Sequence, residues 1–448
     1  MIPTEDRPVL IIGAGISGLL LAQSLSRHAI PFRVFERDTD LETRGVGWGL
    51  TLLWTLPVLK DLLPKDLFDR LPEAYVDREA VTQGLSSSFP FLDLSTGELK
   101  ASVPKAPEAE RVRVTRQSLR ALLATGIDIE WGKGVTGVVS TDDSVTASFE
   151  DGSSATGSLL VACDGSHSRV RRSLFPEWNL KDIPVRMLGI KMEMSPSQIK
   201  PIRDLDPYFF HSTNSRNDTF VYFSVLDAPG NHADTDRPYI GQLCISWPFR
   251  EGFLNRSSPI EIPDTPEEQY KLVQELTSTW AECFQPLASA VSLDSEMKGL
   301  KIQDLTPPKD FQTTGRAVLM GDALHAMAMY RGEGANHVIF DVKDFVERVV
   351  PTLKNDGNLR SALDDYERGV ISRTRPAVLA SRRACLDAHN WKRISKTSPL
   401  LTKRMPYIEF EETDEVECAS QTEHFIWEDS LFPKQGVKML ILSSQDIT

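Results

Sequence analysis

The chain lacks any apolar run approaching the ~20 residues that a membrane-spanning helix needs, and its 41% hydrophobic and 25% charged residues match the average of soluble globular proteins. Cysteine is scarce. Cys163, Cys244, Cys283, Cys385 and Cys418 are odd in number, scattered and free of any CxxC spacing, which argues against a disulfide framework and a zinc site, so no metal is expected. Basic charge is in deficit too: a formal net charge of −13 disfavours nucleic acid, whose binding rests on phosphate neutralisation by Lys and Arg. The opening MIPTEDRPVLIIGAGISG shows no basic region, apolar stretch and small-residue cleavage site in succession, so a secretory signal is not expected and a cytoplasmic location is. Internal repeats and low-complexity segments are also missing. These absences leave a small molecule as the expected partner, bound by a monomer or homodimer without a membrane span.

What is present begins at residues 8–12, PVLII, a short continuous apolar run that breaks into glycines, as a buried parallel strand does before a tight turn and helix. A helix over 16–28 and a second strand, FRVFER (32–37), close a βαβ unit. Gly13-Ala14-Gly15-Ile16-Ser17-Gly18 lies between strand and helix, and Glu36 ends the second strand 18 residues after Gly18. Gly13 permits the turn, Gly15 lets backbone N–H groups approach a pyrophosphate at the helix N-terminus, and Gly18 lets helix and strand pack closely. Glu36 is placed to accept hydrogen bonds from a ribose. A bare GxGxxG is weak evidence, since glycine turns before helices are common, but this placement reads as a dinucleotide site. By itself it does not separate FAD from NAD, which share an adenosine ribose and a pyrophosphate.

The 448 residues allow two or three units. TRQSLRALLA (115–124) reads as a capped helix, followed by IDIEWG, VTGVVS and SVTASFEDGS as short antiparallel strands. SLLVACDG (158–165) and RAVLMGDALH (316–325) each read as a buried strand ending in Gly and Asp, and a helix starts near Gly334. Between them, residues 183–250 alternate in the manner of a half-buried antiparallel sheet, with a Pro-broken helical stretch after it at 265–298. Residues 361–393 read as a helix kinked at Pro376. The acidic stretch 409–417 reads as a solvated face or loop. The fold expected is α/β: a Rossmann-like FAD-binding domain split over 1–75, 106–182 and 300–360, an antiparallel-sheet substrate domain over 76–105 and 183–299, and a C-terminal helical region over 361–448.

Two later motifs bear on the cofactor. Asp164-Gly165-Ser166-His167-Ser168-Arg169-Val170-Arg171 resembles the DGxxSxVR motif of the para-hydroxybenzoate hydroxylase-like, single-component (class A) FAD monooxygenases, matching all five specified residues. Gly321-Asp322-Ala323-Leu324-His325, continuing to Gly332-Glu333-Gly334-Ala335-Asn336, resembles the same family's GDAxH…GxGxN segment. The three motifs stand in the family's order, and the resemblance covers roughly residues 8–370. It implies that Asp322 bonds the FAD ribityl chain, that Asp164 contacts the flavin, that Arg116 meets the phosphates, and that Gly332, Gly334, Ala335 and Asn336 approach the isoalloxazine through backbone groups, with Gly165 and Gly321 also at the cofactor. Arg171 inherits a structural or nicotinamide-access role. Arg37, next to Glu36, is a further cofactor candidate, and Arg44 and Gly47 stand in a second glycine cluster over 44–50 that resembles the stretch passing the flavin. Each arginine has a plain alternative as a surface ion-pair partner or solvated loop charge.

The resemblance further implies an enzyme in which NADPH or NADH reduces FAD and the reduced flavin captures O2 as a C4a-hydroperoxide, then oxygenates a small aromatic, indole-like or polyketide-like substrate. Hydroxylation, epoxidation and Baeyer–Villiger insertion stay open, as do a reductase or dehydrogenase of the same fold and a nonenzymatic FAD-binding partner. The WxWxIP segment of flavin halogenases is not found. Met329 stands where many relatives carry Pro, and Glu333 where Gln is frequent, so Met329, Tyr330 and Arg331 are candidate substrate contacts by proximity to the flavin loop. His325 is left without a role, and His211, Tyr208 and Trp247 are pocket candidates that core packing explains equally well.

Overall fold

A computed structural model of the chain describes residues 3–43, 47–355 and 357–411. Its first sheet has five parallel strands in the order Ala317–Leu319, Leu159–Ala162, Val9–Ile12, Phe32–Phe35 and Ile129–Glu130. Every residue of Val9–Ile12 and Leu159–Ala162 is buried, as a strand covered on both faces requires, which is why these segments read as unbroken apolar runs. Ile129–Glu130 was expected among antiparallel strands; it pairs parallel to Phe32–Phe35 instead, because the helix Arg116–Leu123 returns the chain to that sheet edge. Val135–Ser140, Val145–Phe149 and Ser154–Gly157 do form an antiparallel meander.

The second sheet has seven strands: Met297–Asp304, Lys181–Met194, Tyr239–Pro248, Phe220–Asp227, Phe209–Thr213, Phe91–Asp93 and Leu99–Ala101. All neighbours are antiparallel except Phe209–Thr213 with Phe91–Asp93, which run parallel. Met297–Asp304 crosses residue 300, so the domain boundary expected there falls inside a strand. The period-2 alternation sorts the two faces. Phe210, Val221, Phe223, Leu243, Ile245 and Trp247 pack with the helices Pro196–Leu205, Pro266–Thr277 and Gln285–Ala290. The residues between them, including His211, Tyr222, Gln242 and Cys244, face an internal cavity and not open solvent.

A two-stranded ribbon, Gly49–Leu52 with Val112–Thr115, stands between the sheets. The long helix Leu359–Ala388 runs through Pro376 without interruption and joins both parts, with Tyr366 in the first core and Ala384, Cys385 and Ala388 against the second sheet. Among the described residues no helix is long and apolar enough to cross a membrane. Cys418 and most of the acidic stretch 409–417 lie outside the described residues.

Candidate active site

Local structure at the first motif follows from space rather than from sequence similarity. Gly13 adopts φ +106°, and a Cβ there would stand 2.4 Å from the Cys163 carbonyl oxygen; a Cβ on Gly18 would stand 1.9 Å from the Gly13 carbonyl oxygen. Gly15 is different. Its backbone is extended, and a Cβ there would meet nothing within 4 Å, because it would enter the cavity at the N-terminus of Ile16–Arg27. Glu36 holds this loop: one carboxylate oxygen accepts from Ala14 N at 2.8 Å and the other from Asp38 N at 3.1 Å. Arg120 donates to the Ala14 carbonyl at 2.6 Å.

The second and third motifs converge on the same space. Asp164 accepts from the backbone of Arg169 at 2.8 Å and Val170 at 3.2 Å through one oxygen, while its other oxygen is buried without a partner. Burial pushes its carboxyl above the ordinary range. Arg171 donates to the Ala323 carbonyl at 3.0 Å and the Ser166 carbonyl at 2.7 Å, tying the Asp164 loop to the Asp322 turn, which is a structural task. Asp322 is exposed on the cavity wall, and the protein packed around it pushes its carboxyl up although His325 and Arg116 oppose the shift. His325 is fully buried and bonds Asp341 at 2.7 Å; Asp341 also accepts from Gly321 N at 3.0 Å and from Arg373 at 2.6 Å. His325 therefore clamps the turn that carries Asp322.

The resulting cavity measures about 770 Å³, with a lobe of about 90 Å³ that runs past Glu36 and shares Gly15, Arg37 and Arg116 with it. That volume lies within the ~300–1,000 Å³ of cofactor and ligand sites. Of the residues expected at the cofactor, Gly15, Arg37, Gly47, Arg116, Asp164, Gly165, Asp322, Gly332, Gly334 and Ala335 line the large cavity, and Gly13 and Glu36 line the lobe. Gly18 and Gly321 lie behind the wall, where Gly18 packs helix on strand and Gly321 makes its turn at φ +65°. Asn336 is fully buried: its side-chain amide accepts from Leu53 N and Thr55 and donates to the Thr51 carbonyl. Arg44 lies outside the described residues.

Such a cavity fits a dinucleotide. A Cβ on Gly165, Gly332 or Gly334, like one on Gly15, would meet nothing within 4 Å, so at all four positions a side chain would take up cavity space. The orphan oxygen of Asp164 and the carboxylate of Asp322 are acceptors suited to hydroxyl groups, and Arg116 and Arg37 supply positive charge.

On the sheet side the cavity is lined by aromatic and aliphatic groups with a few polar ones. His211 is there, pushed down to about 3 by burial and the nearby Arg404, and so neutral. Tyr208 and Trp247 are not: the first donates to the Leu85 carbonyl, and the second is core, bonding the Ile260 carbonyl at 2.9 Å. Met329 lines the cavity and is 43% exposed. Tyr330 lines it with its ring while its hydroxyl donates to Ser246 at 3.0 Å. Arg331 lines the cavity as well, while its guanidinium bonds Glu333 at 2.6 Å, the Pro399 carbonyl, Thr402 at 3.0 Å and the Lys403 carbonyl at 3.2 Å.

Sequence reasoning missed Asp341 and Arg373, although His337 and Asp341 stand four apart on an otherwise apolar helix face, a spacing that signals a buried polar network. It also missed Arg113, a charge between Val112 and Val114 in a strand that is buried throughout.

A parallel-sheet dinucleotide fold whose glycine loops and two carboxylates meet in one cavity, roofed by an antiparallel sheet, defines an FAD-dependent oxidoreductase of the para-hydroxybenzoate hydroxylase-like class. The chain belongs to the FAD binding domain family, whose model matches residues 6–378. It is 42% identical over 415 residues to a protein of Arthroderma benhamiae named "Probable FAD-dependent monooxygenase", covering 88% of this chain and 95% of that one. It is 36% identical over 377 residues to the FAD-dependent monooxygenase dbaB of Emericella nidulans, with 82% and 92% covered. In fold it resembles 2,6-dihydroxypyridine-3-hydroxylase from Arthrobacter nicotinovorans, with TM-score 0.70, 18% identity and coverage of 91% and 99%. It also resembles Klebsiella pneumoniae HpxO complexed with FAD and uric acid, with TM-score 0.64, 19% identity and coverage of 88% and 90%. The chain is thus an FAD-dependent monooxygenase, with reduced nicotinamide and O2 as co-substrates.

Proposed function

We propose that this monooxygenase oxygenates a small aromatic, indole-like or polyketide-like molecule held between the flavin loops and the seven-stranded sheet. The observation that carries the reading is one shared cavity, lined on one side by all three glycine-bearing motifs and on the other by Phe209, His211, Phe220 and Tyr222. In this reading Gly15 and the N-terminus of Ile16–Arg27 take the pyrophosphate, Glu36 the adenosine ribose, Arg116 and Arg37 the phosphates, and Asp164 and Asp322 the ribityl hydroxyls. Gly332, Gly334 and Ala335 open the N-terminus of Gly334–Arg348 toward the ring, where the helix dipole favours negative charge. Held by these residues, FAD would supply the redox chemistry, hydride acceptance from NAD(P)H and activation of O2. The aromatic side chains on the cavity face of the sheet, Phe209, Phe220 and Tyr222, keep water from the reacting centre, and Met329 and the Tyr330 ring orient the substrate. Arg331 fastens the C-terminal segment 399–404 to the flavin loop. The domain division, with FAD on the parallel-sheet part and substrate on the antiparallel-sheet part, and a cytoplasmic monomer or homodimer belong to the same reading.

The test is anaerobic reduction of the purified holoenzyme by NADH or NADPH with a panel of phenols, indoles and aromatic polyketides. At least one is expected to accelerate flavin bleaching and then to be consumed mole for mole with O2 on aeration. Bleaching and O2 uptake indifferent to every compound would contradict the proposed substrate class.

A further inference from the structure

Arg113 stands in the cavity wall and is 6% exposed, and among the described residues no carboxylate pairs with it. Its guanidinium donates to three neutral hydroxyls: Thr51 at 2.7 Å, Tyr222 at 2.5 Å and Ser224 at 2.8 Å. The Nε–H is buried with no acceptor. Gly49 makes the room, since a Cβ there would lie 2.4 Å from the guanidinium. Asp206, whose charge reaches Arg113, is itself held by Ser87, Ser88, Tyr208 and Phe209. A second cation, Arg404, reaches the same cavity from the C-terminal segment and, among the described residues, hydrogen-bonds the carbonyls of Arg331, Thr402 and Leu400. Burial and the neighbouring Arg331 push it down to about 10. The cavity carboxylates Asp164, Asp322 and Glu296 form no ion pair with either arginine among the described residues.

Between the two cations lies an aromatic wall. Arg113 sits 4.9 Å over the Phe209 ring, Arg404 sits 5.8 Å over the Phe89 ring, and the two rings meet edge to face at 4.6 Å. Taking a guanidinium out of water costs several kcal/mol, which neutral hydroxyls and ring faces offset only in part; an anionic partner completes the balance. Arg116 already supplies the phosphate-facing charge in the proposed cofactor site, so this pair is surplus to that need. Ring faces between two cations suit a planar molecule with charged oxygen at its edge.

We propose that Arg113 and Arg404 are specificity-determining residues that select an aromatic substrate bearing an anionic oxygen, a carboxylate or an ionised phenol, over its neutral counterpart. This rests on the proposed placement of substrate against the sheet. Arg113, with the Tyr222 hydroxyl beside it, takes the anionic oxygen, and the ring lies along Phe209 and Phe89. Arg404 belongs to the segment that Arg331 and Glu333 anchor, so the chain's C-terminal part contributes to substrate choice.

The experiment titrates the FAD-loaded enzyme, followed by the flavin absorption band, with naphthoate against naphthamide and naphthol against its methyl ether. The first pair reads a carboxylate and the second an ionised phenol. At least one anion is expected to bind about tenfold to a hundredfold tighter than its neutral twin, the size of a hydrogen bond to a charged group. Arg113→Gln and Arg404→Gln should each lower that ratio toward one while FAD stays bound, and Arg113→Lys should keep part of it. A purely structural Arg113 would change melting temperature in all variants and leave the ratio alone. A wild-type ratio near one for both pairs, including no binding by any of the four, overturns the inference, as does a ratio that survives both Gln substitutions. A protein that never takes up FAD would instead sink the cofactor reading, which the absorption band reports separately.

Discussion

Gly15 and Gly18 stand three residues apart in one motif and meet opposite constraints. A Cβ on Gly18 collides with backbone at 1.9 Å, whereas a Cβ on Gly15 enters empty cavity. Gly18→Val should therefore damage folding, while Gly15→Val should give a folded protein that fails to retain FAD. Circular dichroism melting together with bound-flavin absorbance separates the two outcomes; equal flavin content in wild type and Gly15→Val would remove Gly15 from the cofactor site. The glycine motifs were legible in the sequence because each demands a backbone feature that few other residues supply. Arg113 was not, because its meaning depends on which strand from elsewhere in the chain places Tyr222 and Ser224 beside it. Arg331 lines the cavity as its place in the flavin loop suggests, but its bonds to Glu333 and to a segment some seventy residues later could not be read from the sequence.

Among elements, Val9–Ile12, Leu159–Ala162 and Ala317–Leu319 of the parallel sheet were legible from unbroken apolar runs, and the strands between residues 183 and 250 of the large sheet from alternation, whereas Phe91–Asp93, Leu99–Ala101 and Met297–Asp304 were not read. Alternation gave the period but not what lies opposite, so the face that reads as polar turned out to line a cavity. Ile129–Glu130 is two residues long, too short for its pairing direction to be encoded locally. The joint between Gly334–Arg348 and Leu359–Ala388 rests on buried charge: Arg373 bonds Asp341 at 2.6 Å and Asp344 at 3.1 Å, and Asp341 holds His325. Burial alone would raise the Asp341 carboxyl, but His325 and Arg373 hold it below its ordinary 3.8. A lowered folded value means that this contribution is full above about 3.8 and fades as pH falls through the folded value. Asp341→Asn should cost about 3–5 kcal/mol by urea unfolding at neutral pH, since it strands a buried guanidinium and the Gly321 turn. A loss under about 1 kcal/mol would show that Asp344 alone suffices.

For the whole molecule, acid stability follows from histidines buried neutral. His389 carries its proton on Nδ1, donated to the Cys385 carbonyl at 2.7 Å, so Nε2 accepts from Ser246; burial pushes it from 6.5 down to about 4. A lowered histidine value favours the folded state above 6.5, and that advantage drains away as pH falls from 6.5 toward about 4, because the unfolded chain takes up the proton first. The slope is about 1.4 kcal/mol per pH unit for each such histidine. His389→Gln should flatten unfolding free energy against pH by about that amount across this window; an unchanged slope would place the acid sensitivity elsewhere.

Cofactor binding depends on three distant segments of one chain closing around a single FAD. The most direct measurement is flavin content after the purified protein is incubated with excess FAD and passed through gel filtration. One FAD per chain, travelling with the protein peak and lost in Gly15→Val, is the result this structure predicts. A wild-type protein peak that emerges colourless would contradict it.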